Sequence, residues 1–345
     1  MEQFDSTHLN LAPNAGTLPL VVAPRSVTRG PISGGEVSAG GQPVVVSISG
    51  PTLDDISRQD PRDNPAEQSE KQSHQVTVIR ARSHWRLVDT RELLAYRDLY
   101  HFLVRREIKV RYAQSAIGVG WAILQPLFAM LVFTVIFGKL ARVSSDGVPY
   151  ALFSFAGLIP WMYFANGVTD GVNSLINNAH MLSKVYFPRL LLPLAAVTAR
   201  LVDFLVAAVV MTAMLMWYRV APNWNLLALP WIVMLMFLTA IAGAAWLSSF
   251  ALQYRDVKHA MTFVVQILMY TAPVVYPLSL IPVGYHPLVA LNPMVGVIEG
   301  LRAGLFGMRE MPWLLLTIST LSGLIWAISG VLYFNHRQAR FADVA

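Results

Sequence analysis

Five stretches of this chain, residues 112–138, 147–169, 220–254, 259–298 and 311–336, contain no Asp, Glu, Lys or Arg. Each is as long as or longer than the roughly 20 apolar residues that a helix needs to cross about 30 Å of hydrocarbon. A soluble domain has no interior large enough for so much uncharged sequence, so the bilayer is the solvent that fits. In lipid a helix satisfies its own backbone N–H and C=O groups, and the fold class that follows is an all-α membrane protein.

Six transmembrane helices are predicted, at about 118–140, 150–172, 190–217, 226–251, 260–277 and 312–334. The stretch 278–311 is apolar but interrupted by Pro282, Pro287 and Pro293, with Pro277 just before it. Prolines at that density prevent a continuous span, so a pair of short re-entrant helices is expected between spans five and six. Upstream of the first span, Leu93, Tyr96, Leu99, Tyr100, Leu103 and Ile108 form a stripe at helical spacing, opposite Arg91, Arg97, Arg105, Arg106, Lys109 and Arg111. That pattern predicts an amphipathic helix lying on the membrane surface. The expected organisation is a disordered cytoplasmic leader over 1–79, the surface helix within 80–117, and a six-span domain over 118–340 that contains the re-entrant region 278–311.

The leader carries eight prolines and seven glycines, with nine acidic residues against five basic ones, too polar a mixture to bury a core. It reads either as a plain tail or as a docking segment. Its start, Met1-Glu2-Gln3-Phe4-Asp5, has no basic or apolar signal region. The net charge of +6 is concentrated: nine bases fall between Arg80 and Arg111. By the positive-inside rule this block is cytoplasmic, as are the loops holding Lys184, Arg189, Arg255 and Lys258 and the tail with Arg337 and Arg340. Both termini are then expected in the cytoplasm, with the re-entrant region on the opposite side.

The chain has no cysteine, which excludes thiol catalysis, disulfides and cysteine-bound metal. Its eight histidines are scattered without HxH or HExxH spacing, so no metal site is expected. No GxxxxGK[ST] phosphate loop is present. The nearest fragment, Phe137-Gly138-Lys139-Leu140, lacks the upstream glycine spacing and the hydroxyl that would hold magnesium.

Five segments are more specific. RDLYHFLVRREIKVRYAQSAIGVGWAILQPL, VPYALFSFAGLIPWMYFANGV, KVYFPRLLLPLA, the YRDV of Tyr254 to Val257, and ALNPMVGVIEGLR, in this order over about 90–340, resemble the ABC-2 permease of O-antigen and capsular polysaccharide exporters. The resemblance implies a homodimer of six-span subunits in the bacterial inner membrane, with the re-entrant region facing the periplasm. It also implies two copies of a separate ATPase subunit that bind ATP and magnesium, and no cofactor or enzymatic activity on this chain. The cargo implied is a polysaccharide linked to undecaprenyl pyrophosphate. Within transport, a teichoic acid or drug exporter of the same type is the alternative. A membrane enzyme acting on lipid-linked sugars fits less well, because the loops are short and poor in acids.

An exporter of this kind must receive force, pass a sugar chain and stay sealed. For force, the loop with Lys184, Tyr186, Phe187, Pro188 and Arg189, joined by Arg255 and Asp256, is the expected ATPase-coupling surface, since aromatics and Arg suit the centre of a protein interface. For passage, Trp121, Gln125 and Phe128 recur at helical spacing on the first span, and Phe263, Gln266 and Tyr270 do so on the fifth. Rings stack on the flat C–H faces of sugars and amides bond hydroxyls, so these trios are candidates for the channel lining. Interface belts and plain packing also explain such rings. For the seal, Pro273, Tyr276 and Pro277 break the fifth span, and Asn292-Pro293 opens a helix bearing Gly296, Gly300 and Gly304 with Glu299 and Arg302 three apart. Its smooth glycine side suits a periplasmic gate or static packing within one subunit. Arg200 and Asp203, three apart inside apolar sequence, neutralise each other or contact the lipid pyrophosphate, a role for which Arg105, Arg106, Lys109 and Arg111 also compete.

Overall fold

The computed structural model describes residues 90–113, 115, 117–178, 184, 187–221, 223–251, 254, 256–307 and 310–337; the 1–79 leader, Tyr186 and Arg255 lie outside the described residues. Helix α1 (Thr90–Ala95) leads into α2 (Arg97–Tyr112), which carries five of the nine bases between Arg80 and Arg111, namely Arg97, Arg105, Arg106, Lys109 and Arg111. Helix α3 (Gly120–Phe133) continues as a π-helix over Thr134–Leu140. Next come α4 (Tyr150–Asn177), then α5 (Leu191–Ala199) and α6 (Leu201–Trp217), which meet at Arg200 and together form one span. A 3-10 turn over Trp224–Ala228 opens α7 (Leu229–Ala251), followed by α8 (Val257–Thr271). After two 3-10 turns come the short α9 (His286–Val289), then α10 (Pro293–Phe306) and α11 (Trp313–Arg337). No strand occurs among the described residues.

Five of these segments, 120–140, 150–177, 191–217, 224–251 and 313–337, are long and apolar enough to cross a bilayer. The span expected over 260–277 is helical only from Val257 to Thr271. At 1.5 Å per residue that is about 22 Å, short of the hydrocarbon thickness. The cause is Pro273. It has no N–H to offer a helix, and the residue before a proline is pushed out of helical geometry, as Ala272 is at φ −98° and ψ 144°.

Helix α4 is the central element. Of its most apolar window 78% is buried against the rest of the chain, compared with 11% for the window of α3. Its residues Phe155, Ala156, Val168 and Val172 pack in a core with Val197, Ile232, Met236, Ala240 and Ile298 from α5, α7 and α10. Small residues allow the close crossings: a Cβ on Gly171 would sit 2.6 Å from Ala244, and one on Gly243 2.9 Å from Val168. Peripheral α3 and α8 leave broad apolar faces uncovered by this chain.

The segment Val283–Val289, which ends in α9, and α10 are the halves of one pair, bent by 117°. Asn292 starts α10, its side chain accepting from the Met294 N–H at 3.1 Å, with Pro293 in the first turn where no N–H is needed. Gly307, at φ 63°, ends it in the left-handed conformation that a side chain resists.

Candidate functional site

Helix α2 is held to the bundle by an ion quartet. Arg111 Nη2 donates to Asp170 Oδ2 at 2.7 Å and its Nη1 reaches Asp203 Oδ2 at 3.4 Å. Arg200 bonds the same two oxygens, at 2.6 Å through Nε and 2.9 Å through Nη1. Two guanidiniums and two carboxylates cancel, which is what partly buried charges require. The Tyr112 hydroxyl donates to Asp203 Oδ1. Burial first, and this bond second, push that hydroxyl up to about 12, so it stays a neutral donor through the physiological range. The quartet borders a cleft that also takes in Trp121 and Gln125 of α3 and Asn166 of α4.

Below the quartet, Leu103 of α2 is buried against Leu175, Phe187, Leu190 and Leu191, and the Tyr100 hydroxyl pairs with Thr198 Oγ1 at 2.7 Å. Phe187, expected at the centre of a docking surface, is thus packed inward beneath α2. Lys184 and Asp256 are exposed, and Pro188 and Arg189 are half-buried. On α2 itself Arg105 and Lys109 point outward, one turn apart, while Arg106 pairs with Glu107 at 3.0 Å.

Both aromatic trios lie on uncovered faces. Trp121, Gln125 and Phe128 are exposed on α3, and Phe263, Gln266 and Tyr270 on α8. Neither trio is consumed by packing within the chain.

The break after α8 frees backbone carbonyls that would be costly to leave unbonded at membrane depth. Arg302 of α10 supplies the donors. Its Nη1 bonds Pro273 O at 2.7 Å and Glu299 Oε1 at 2.9 Å; its Nη2 bonds Val274 O at 2.8 Å and Phe153 O at 3.3 Å. Tyr150 donates to Val275 O at 2.5 Å, and Tyr276 to Tyr270 O at 3.1 Å. Pro273 and Pro277 are buried beside these bonds. Tyr150, Phe153 and Gly157 were not singled out by sequence reasoning. The available signal was the run of rings with one glycine in Tyr150–Gly157, at which a Cβ would come within 2.6 Å of Val274 O.

The glycine side of α10 faces this same chain. A Cβ on Gly296 would meet Ser319 of α11 at 2.5 Å, and one on Gly300 would meet Leu316 at 2.9 Å and Ile232 at 3.2 Å. The Gly296 N–H donates to Ser319 Oγ at 3.2 Å, and that hydroxyl donates to Ala290 O at 3.0 Å. Gly304 is looser, with Asn225 O nearest at 3.5 Å. These bonds tie the bend at Ala290–Asn292 to α11.

Long apolar helices around a proline-broken, arginine-pinned hairpin are the framework of a multi-pass membrane protein, and comparison with known proteins agrees. The profile of the ABC-2 type transporter family matches residues 98–306. The O-antigen export system permease protein RfbA of Myxococcus xanthus is 31% identical over 259 residues, which cover 73% of this chain and 97% of that protein. RfbA of Klebsiella pneumoniae is 29% identical, with 72% and 95% covered. The polysialic acid transport protein KpsM of Escherichia coli is 26% identical, with 57% and 77% covered. The chain belongs to the ABC-2 type transporter family.

Proposed function

We propose that this chain is the transmembrane subunit of an ATP-driven exporter that carries a lipid-linked polysaccharide, an O-antigen or capsular glycan, across the bacterial inner membrane. The observation that carries the reading is the similarity to an O-antigen export permease along 97% of that protein's length. Likeness to a polysialic acid transport protein favours a glycan over a drug.

In this reading two copies of the chain pair, and the uncovered faces of α3 and α8, with Gln125 and Gln266 between aromatic rings, border the glycan path. A separate ABC ATPase supplies the force. It docks on the exposed Lys184 and Asp256 and on α2, with Arg189 at the same edge, and the quartet passes movement of α2 to α4 and α6. Arg105 and Lys109, exposed and without an ion-pair partner among the described residues, are the better placed cations for a pyrophosphate headgroup, since Arg111 and Arg200 already face two carboxylates. The hairpin of α9 and α10 is the outer gate, and its glycine side fixes it to α11.

The test is deletion of the gene and complementation, with surface polysaccharide read by gel and by sugar analysis. Polysaccharide should be retained inside the deletion strain and return to the surface on complementation. Unchanged surface glycan in the deletion strain overturns the reading. Purification with an ABC ATPase, and stimulation of its hydrolysis by lipid-linked glycan, tests the coupling separately.

A further inference from the structure

Behind α8 the bundle is not closed. A cavity of about 350 Å³ lies between α8, α4, α7 and α11, walled by Phe164, Val168, Trp246, Phe250, Leu268 and Trp326. Cavities of this size between the helices of a bundle are common ligand sites. The side-chain polar atoms of the lining are those of Ser329 and Trp246, and they are already bonded. Trp246 Nε1 donates to Ser329 Oγ at 3.2 Å, and that hydroxyl donates to the Trp326 carbonyl at 3.0 Å. What fits such a wall is hydrocarbon. Val264 and Trp326 in the lining are 41% and 39% exposed, so the cavity communicates with the surface that the spans present to the bilayer.

One end of this wall carries a charge. Ser329, Tyr333 and Arg337 follow one another at intervals of four along α11, which keeps them on one side of the helix. The Tyr333 ring stacks on Trp246 with centroids 4.7 Å apart, and the Arg337 guanidinium lies 5.3 Å over the Tyr333 ring. Beyond that ring contact Arg337 has no ion pair among the described residues, and its Nε is buried without an acceptor. A guanidinium so placed is best matched by a phosphate. The depth is also right. The 25 residues of α11 make a helix of about 37 Å, longer than the hydrocarbon is thick, and Arg337 is the last of them, so its charge stands at headgroup level. Ser329 is about 12 Å further in. A phosphate on Arg337 and a chain in the cavity are therefore spaced as in one lipid molecule.

A lone guanidinium suits the single charge of a phosphodiester better than a pyrophosphate. The placement on α8 separates this lipid from the cargo as well. Val264, Val265 and Leu268 line the cavity and, at about 100° per residue, lie opposite Phe263, Gln266 and Tyr270, the face that borders the glycan path in the export reading. We infer that the cavity takes an acyl chain of an anionic phospholipid whose phosphate rests on Arg337, and that this chain supports α8 from behind. Helix α8 is the short one that Pro273 ends before it can cross the bilayer, so a lipid at its back helps to fix where its exposed face stands.

The experiment is native mass spectrometry of the full chain in detergent, titrated with phosphatidylglycerol, with phosphatidylethanolamine of the same chains, and with undecaprenyl pyrophosphate. One phosphatidylglycerol per chain should bind about fivefold more tightly than phosphatidylethanolamine, the effect of one interfacial cation on an anionic lipid. Arg337→Gln should erase that preference and leave the melting temperature unchanged. Val264→Trp, which puts a ring into the cavity from an exposed position, should weaken binding of both phospholipids. Equal binding of the two phospholipids, or a preference that survives Arg337→Gln, overturns the proposal. So does undecaprenyl pyrophosphate binding more tightly than phosphatidylglycerol in an Arg337-dependent way, which makes the cavity a cargo site. A Val264→Trp protein that loses its pairing with a second copy while its phospholipid binding is unchanged also overturns it, by marking an interface between copies. The measurement needs neither an ATPase nor a glycan. Its failure leaves the export reading standing, whereas Arg337-dependent lipid binding in a protein whose deletion leaves surface polysaccharide unchanged sinks the export reading alone.

Discussion

The guanidinium of Arg302 lies 3.6 Å over the centre of the Phe153 ring while one of its nitrogens bonds the Phe153 carbonyl. One side chain of the bent hairpin thereby grips the first turn of the central helix and, through Pro273 and Val274, the broken end of α8. Replacing Arg302 with Ala removes these bonds and leaves Glu299 charged and buried. A loss of about 3–5 kcal/mol is expected, the usual effect of breaking a buried pair from one side. Arg302→Lys should recover part of it, since an ammonium keeps the charge and loses the planar fork. Thermal unfolding of the purified variants in nanodiscs checks the order wild type, Lys, Ala.

Gly157 and Gly304 provide a matched comparison. Gly157→Ala drives a methyl to 2.6 Å from a backbone carbonyl and 2.7 Å from Arg302 Nη2, neither of which has room to yield. It should cost about 1–3 kcal/mol by overpacking. Gly304→Ala finds its nearest neighbour at 3.5 Å and, by removing a helical glycine, should be neutral or stabilising. Equal melting temperatures for the two variants would contradict this geometry.

The quartet predicts coupling across α2 and α4. Arg111→Gln and Asp170→Asn should each destabilise the protein, and the double variant by less than the sum, with an interaction energy of about 0.5–3 kcal/mol. Because these side chains are 16–24% exposed, added salt should change the coupling only modestly. Additive effects would mean that the bonds contribute nothing jointly.

What was legible in the sequence was whatever depends on local spacing. Four of the five uncharged stretches mark long helices, whereas the span over 191–217 holds Arg200 and Asp203 and the stretch 259–298 has no helix long enough to cross; Asn292-Pro293 marks the start of α10, and Pro273 marks the end of α8. The i,i+3 spacing brings Glu299 to Arg302 and Arg200 to Asp203. What was not legible depends on distant partners. No period relates Arg111 to Asp170, or Arg302 to the carbonyl of Phe153, 149 residues away. The burial of Phe187 was hidden for a similar reason: a basic loop rich in rings looks alike whether its Phe faces a partner or the underside of α2.

Tyr112 makes the anchor of α2 sensitive to alkali. Its hydroxyl titrates near 10 in an unfolded chain and is raised to about 12 here. A raised acid contributes stability that is complete below the unfolded value and is lost as pH climbs from about 10 through 12. Ultraviolet titration of the phenolates should show a late-ionising fraction that falls by one tyrosine in Tyr112→Phe, and that variant should lose the matching part of the alkaline fall in stability.

Lys184 and Phe187 separate docking from packing within one loop. Phe187→Ala should lower stability by about 3–5 kcal/mol, because a ring that is 4% exposed leaves a cavity beneath α2. Lys184→Glu changes an exposed charge and should leave the melting temperature within about 0.5 kcal/mol of wild type. If the loop receives the ATPase, Lys184→Glu should nevertheless weaken co-purification with that partner and slow polysaccharide export. Restoration of Phe187→Ala export at low temperature, where the weakened fold still holds, would assign that residue to support of α2. Export that stays absent in a folded Phe187→Ala protein would assign it to the transmission of force.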